Sequence, residues 1–146
     1  MAIKADEFET LRAWSALLME QVRMIPPNLP PEFHPIAVLD AMVRSSPARA
    51  RQGLAMMIGD LMELTVDFPQ EEIARLDAIF GEAQLPTFSN IRVRFMKRIR
   101  SIVRRGIIRS EAEYHLVRNA VEGVNEDGEQ DRLWAMLAAY EQELTR

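Results

Sequence analysis

Eight basic side chains, Arg92, Arg94, Lys97, Arg98, Arg100, Arg104, Arg105 and Arg109, fall between positions 92 and 109 without one Asp or Glu among them. Seven of the eight are arginines, whose planar fork binds a phosphate or carboxylate by two parallel hydrogen bonds where lysine offers a point charge. The rest of the chain holds ten basic and 22 acidic residues, so the net charge of −4 conceals a basic window set in an acidic remainder. On a helix, Ile91, Phe95, Met96, Ile99, Ile102 and Val103 share one arc, and Arg94, Lys97, Arg98, Arg100, Arg104 and Arg105 share the opposite one. Arg92 alone falls inside the apolar arc.

Six like charges on one helical face repel one another unless something negative lies against them. One source of compensation is the chain itself, since Glu111, Glu113, Glu122, Glu126, Asp127, Glu129 and Asp131 follow within a short turn. The other is an external polyanion: nucleic acid, an anionic membrane surface or an acidic patch on a protein. The residues expected to make that contact are Arg94, Lys97, Arg98, Arg104, Arg105 and Arg109. An isoelectric point near 5.3 argues against a dedicated nucleic-acid binder, for which values above ~9 are usual. The basic helix, its turn and the next helix have the outline of a helix-turn-helix. The second helix, however, offers Glu111, Glu113 and Glu122 where base edges require donors, with only His115 and Arg118 of positive sign. A membrane-surface helix needs aromatic anchors on its apolar arc, and Phe95 is the sole one.

Other chemistry-bearing residues are sparse. Glu111 and His115 stand four apart, half of a metal site, but Ala112 occupies the position where a di-iron motif carries glutamate. Asp60 and Glu63 lie on the most apolar helix, where a core-facing carboxylate requires a partner or a raised pKa, and a wet helix edge is the expected place for both. His34, between Phe33 and Pro35, reads as a loop residue or a helix cap. Six serines and two histidines show no local nucleophile signature. Gly53 and Gly59 lack the Gly-Lys-Ser/Thr of a phosphate loop and read as points of close helix contact. Nine methionines, six of them between Met19 and Met62, read as core before they read as an adaptable groove. No catalytic residue, metal site or cofactor is expected.

The elements that position these residues are punctuated by proline and glycine. An amphipathic helix is predicted over 5–24 from Phe8, Leu11, Trp14, Leu17, Leu18, Val22 and Ile25. Five prolines between 26 and 35 then break it and form a rigid connector. Pro35, Pro47 and Pro69 mark three helix starts, giving helices over 35–43, 47–66 and 69–80, the last stopped by Gly81. A fifth helix over 89–105 begins at Ser89 and is capped by Gly106 in a left-handed conformation. Ser110 with Glu113 forms a capping box that opens the sixth, whose apolar face is Tyr114, Val117, Val121 and Val124. Turn residues at 125–128 separate it from a seventh helix carrying Leu133, Met136, Leu137, Tyr140 and Leu144.

The expected fold is all-α, a single-domain helical bundle over 1–146 of about six to seven helices with mostly antiparallel neighbours. A four-helix part (1–82) and a three-helix part (87–146) are expected to share one core. The longest uncharged run, 83–91, is far below the ~20 apolar residues of a membrane span. The acidic amino terminus lacks the charge pattern of a secretory signal. Absence of cysteine fits a reducing compartment, so a cytoplasmic setting is expected. The expected function is non-enzymatic: contact with a protein partner or self-association as a homo-oligomer, a dimer foremost. The alternative is binding of nucleic acid or another polyanion through the helix at 89–105, and the third is an enzyme of a type the sequence does not declare.

Overall fold

The computed structural model describes residues 1–121 and 127–146, which form seven α-helices, two short 3-10 turns and no strand among the described residues. The helices are α1 (Phe8–Gln21), α2 (Pro35–Ser45), α3 (Pro47–Leu64), α4 (Gln70–Glu82), α5 (Phe88–Arg105), α6 (Glu111–Ala120) and α7 (Asp127–Leu144). The 3-10 turns, Ala5–Glu7 and Pro31–Phe33, lead into α1 and α2. The fold is an all-α helical bundle. Helix α3 packs closely on α6, α2 and α1, while α4 rests on α5 and α1, α5 on α6, and α6 on α7.

The helix ends follow from local chemistry. His34 Nδ1 accepts the Ile36 N–H at 3.1 Å as N-cap of α2, and Ser46 Oγ does the same for Arg49 ahead of α3. Each satisfies an amide that the first turn leaves without an intrahelical partner. Several expected boundaries move: the first helix, expected over 5–24, spans Phe8–Gln21 behind the 3-10 turn Ala5–Glu7, and α2 and α3 end at Ser45 and Leu64 rather than at 43 and 66. Helix α4 runs through Gly81 to Glu82, and the left-handed residue that follows is Gln84, with φ of 59°. Helix α5 starts at Phe88, one residue earlier than expected, and is capped by Thr87, whose Oγ1 accepts the Asn90 N–H. Ser89 is already helical, and its N–H and hydroxyl both donate to the Asp77 carboxylate, at 2.8 and 2.5 Å, tying α5 to α4. Gly106 does hold φ of 82° at the end of α5, as the cap requires. The separating turn expected at 125–128 lies partly outside the described residues. Gly128 falls within α7, and Val124, assigned to the apolar face of the sixth helix, is also outside them.

Buried residues from Met1 to Leu137 form one contiguous cluster with members in all seven helices. At its centre Trp14 is stacked between Phe80 and Phe88, with ring centroids 5.4 and 6.4 Å away. Helix α3 meets α6 closely at Gly59, where a Cβ would lie 2.7 Å from Asn119 Nδ2. That amide instead donates to Asp60 Oδ1 at 3.2 Å. Met19 and Met62 are core residues, whereas Met24 and Met56 are exposed. Arg12 and Asp40 form a two-pronged pair, at 2.6 and 2.7 Å, that clips α1 to α2.

The basic face of helix α5

Helix α5 buries Ile91, Phe95, Ile99, Ile102 and Val103, the apolar arc that its sequence spacing defines. Burying that arc against α4 and α6 fixes the rotation of the helix and hence the direction of every cation. The cations divide into two sets. Val93, Lys97, Arg100 and Arg104 lie within about 60° of one another on the outward crest, and all four are exposed. Arg94, Arg98 and Arg105 lie on a flank about 110° around the helix and are half-buried.

The flank is engaged from within. Arg94 grips Glu7 through both Nη atoms, at 2.9 and 2.8 Å, and its Nη2 also donates to the Ala2 carbonyl at 2.8 Å. The Glu7 carboxyl is held down at about 2, foremost by the hydrogen bonds from Arg94, against the opposing effect of burial. Arg98 Nη2 donates to Glu113 Oε1 at 3.2 Å, and Arg105 reaches both Glu113 Oε2 and the Ile107 carbonyl. Glu113 is 7% exposed, the one buried charged residue among the described residues. Burial acts to raise its pKa, but the hydrogen bonds from Arg105 and the Arg109 N–H and the charges of Arg105 and Arg98 outweigh it and hold the carboxyl below its ordinary value.

That arrangement revises the capping box. Ser110 Oγ accepts the Glu113 N–H at 3.2 Å, as expected. The Glu113 carboxylate bonds the N–H of Arg109 at 2.9 Å rather than that of Ser110. It is thereby shared between the helix start and two guanidiniums of α5.

The crest is not engaged. The side chains of Lys97, Arg100 and Arg104 have no hydrogen-bond or ion-pair partner among the described residues, and neither has that of Arg109 beyond Gly106. Two exposed apolar groups flank these cations in sequence, Val93 on the crest at 67% and Ile107 in the turn after α5 at 56% exposure. Of the six expected contact residues, Lys97, Arg104 and Arg109 therefore face solvent, and Arg94, Arg98 and Arg105 carry internal partners. Arg100, assigned to the basic arc but not to that set, belongs on the crest. Arg92 lies half-buried beside a small cleft with Met62, Val66 and Met96.

Glu7 has no local signature in the sequence, because it is 87 residues from Arg94 and reaches it through a tail anchored by buried Met1 and Ile3. Asp60 is exposed and Glu63 half-buried at the wet edge of α3. His115 Nε2 stands 3.6 Å from Glu111, and no group of three metal-ligating side chains is present among the described residues. No helix described here is long and apolar enough to cross a membrane. Compared with protein-family models, curated proteins and solved structures, the chain matches none.

Proposed function

We propose that this helical protein acts by contact, docking the crest of α5 onto an acidic protein surface. The observation that carries the reading is the alignment of Lys97, Arg100 and Arg104 on one exposed stripe with no counter-charge among the described residues. Three unpaired cations a turn apart supply electrostatic steering and register. Val93 and Ile107 supply apolar area that a protein surface covers and a sugar-phosphate chain does not. The acidic remainder of the chain opposes long-range attraction of nucleic acid while leaving a local acidic patch free to dock. It also makes a second copy of the chain one such acidic partner, which is the form a homodimer would take. A cytoplasmic setting is part of the reading, supported by the lack of cysteine.

The test is fluorescence anisotropy of labelled poly-L-glutamate and of mixed-sequence RNA and DNA of matched length, titrated with the full chain from about 50 to 200 mM salt. The reading expects saturable binding of poly-L-glutamate that is lost when Arg100→Glu and Arg104→Glu are combined. Tighter binding of nucleic acid, weakening along a linear log–log salt slope, would replace the protein partner with a nucleic acid. Unchanged poly-L-glutamate binding by the double variant would remove the crest from the function.

A further inference from the structure

Between the crest and the flank of α5 runs an open cleft of about 270 Å³, walled by Met1 and Ala2 of the N-terminal tail and by Arg94, Lys97, Arg98 and Ser101 of the helix. The four helical residues stand at i, i+3, i+4 and i+7, so they line one face over two turns. Their charges are not balanced locally. The cleft's three cations are Arg94, Lys97 and Arg98; Arg94 is paired with Glu7, and Arg98 shares Glu113 with Arg105 outside the cleft, so Lys97 has no carboxylate among the described residues and Arg98 only a shared one. Donors are in excess. Arg98 uses only Nη2, toward Glu113, which leaves its Nε and Nη1 without a partner among the described residues, and Lys97 has none among them. Ser101 adds an exposed hydroxyl between them.

We propose that this cleft binds a phosphate monoester dianion. The double charge supplies the counter-charge that Lys97 lacks and Arg98 only shares, and the oxygens of a tetrahedral phosphate match a guanidinium edge, an ammonium and a hydroxyl arriving from different directions. The apolar wall contributed by Met1 accommodates the ester carbon. The cleft admits one such group rather than a polymer, and its pre-paired arginines are held in place by Glu7 and Glu113 before any ligand arrives, which limits the ordering cost of binding. The proposal goes beyond the docking role of the crest and shares only Lys97 with it.

Titration calorimetry of the full chain with O-phospho-L-serine and with a pentapeptide centred on phosphoserine tests it, with L-aspartate as the singly charged control. Saturable one-site binding of the phosphomonoester is expected, at least about tenfold tighter than that of aspartate. Ser101→Asp, which places a carboxylate in the cleft at an exposed position, and Lys97→Ala should each weaken it by a similar factor with helical circular dichroism unchanged. The Arg100→Glu, Arg104→Glu pair should leave it intact, which separates failure of the cleft from failure of the crest. Equal affinity for the amino acid and the peptide assigns the site to small phosphomonoesters, and tighter binding of the peptide assigns it to a phosphorylated side chain. Absence of saturable binding by both, or binding indifferent to Ser101→Asp and Lys97→Ala, would overturn the proposal.

Discussion

Two strips of one helix, separated by about 110° of rotation, carry nearly the same residues and live in different electrostatic worlds. On the flank, Arg94, Arg98 and Arg105 are half-buried, and each holds a carboxylate brought from elsewhere in the chain. On the crest, Lys97, Arg100 and Arg104 are exposed and hold none among the described residues. The composition of a basic helix therefore says little about its role until its buried arc has fixed its rotation. Cations beside that arc become structural, because desolvation near the core demands a partner. Cations opposite it stay in solvent.

The sharpest way to break this contrast is through Glu113. Replacing it with alanine leaves Arg98, Arg105 and the Arg109 N–H without their shared acceptor in a nearly dry position. The expected loss is about 2–3 kcal/mol, read as a lower urea midpoint. Alanine at Lys97, Arg100 or Arg104 should change stability by no more than about 0.5 kcal/mol. Comparable losses on both strips would erase the distinction.

A smaller effect tests the start of α6, which aims Glu113 at the flank. Ser110→Ala removes the oxygen that holds the Glu113 N–H and should cost about 1 kcal/mol in the same measurement. It should also weaken the Arg98 and Arg105 contacts by loosening the first turn. Gly106→Ala, at a φ of 82°, should cost about 1 kcal/mol as well, since a Cβ there strains the turn between α5 and α6.

Acid separates the strips most gently. The Glu7 carboxyl is lowered from 4.5 to about 2 in the fold, and that of Glu113 is lowered too. A depressed carboxyl contributes stability that is complete above its unfolded value and is lost as pH falls through its folded one. Stability should therefore decline from about pH 4.5 toward pH 2, the range Glu7 sets. Glu7→Gln should flatten that decline in a series of urea midpoints, whereas Arg100→Gln and Arg104→Gln should leave its slope unchanged.

The helices were legible because proline and glycine mark their ends and apolar spacing marks their inner faces. Pro35 and Pro47 start α2 and α3, and Gly106 caps α5. Two of the moved boundaries have local causes. Thr87 and Ser89 are both competent caps, and only the pull of Asp77 on Ser89 decides between them. Gly81 sits in a helix that it does not have to end, and Gln84 accepts the left-handed turn instead. The site was legible in kind, as a basic helix with Glu113 near at hand. Its division into flank and crest was not, because a six-cation arc spans too much of the helix for one environment. Which edge meets protein depends on a tail and on α6, and Glu7 arrives from across the chain.

The division itself is most directly read from the guanidinium protons of α5, by nitrogen-detected NMR of arginine side chains in the intact protein. The account predicts slow solvent exchange at Arg94 and Arg105, whose N–H groups are held by Glu7, Glu113 and the Ile107 carbonyl. It predicts fast exchange at Arg100 and Arg104. Equal exchange at all four would contradict a helix with one strip engaged within the fold and one left open.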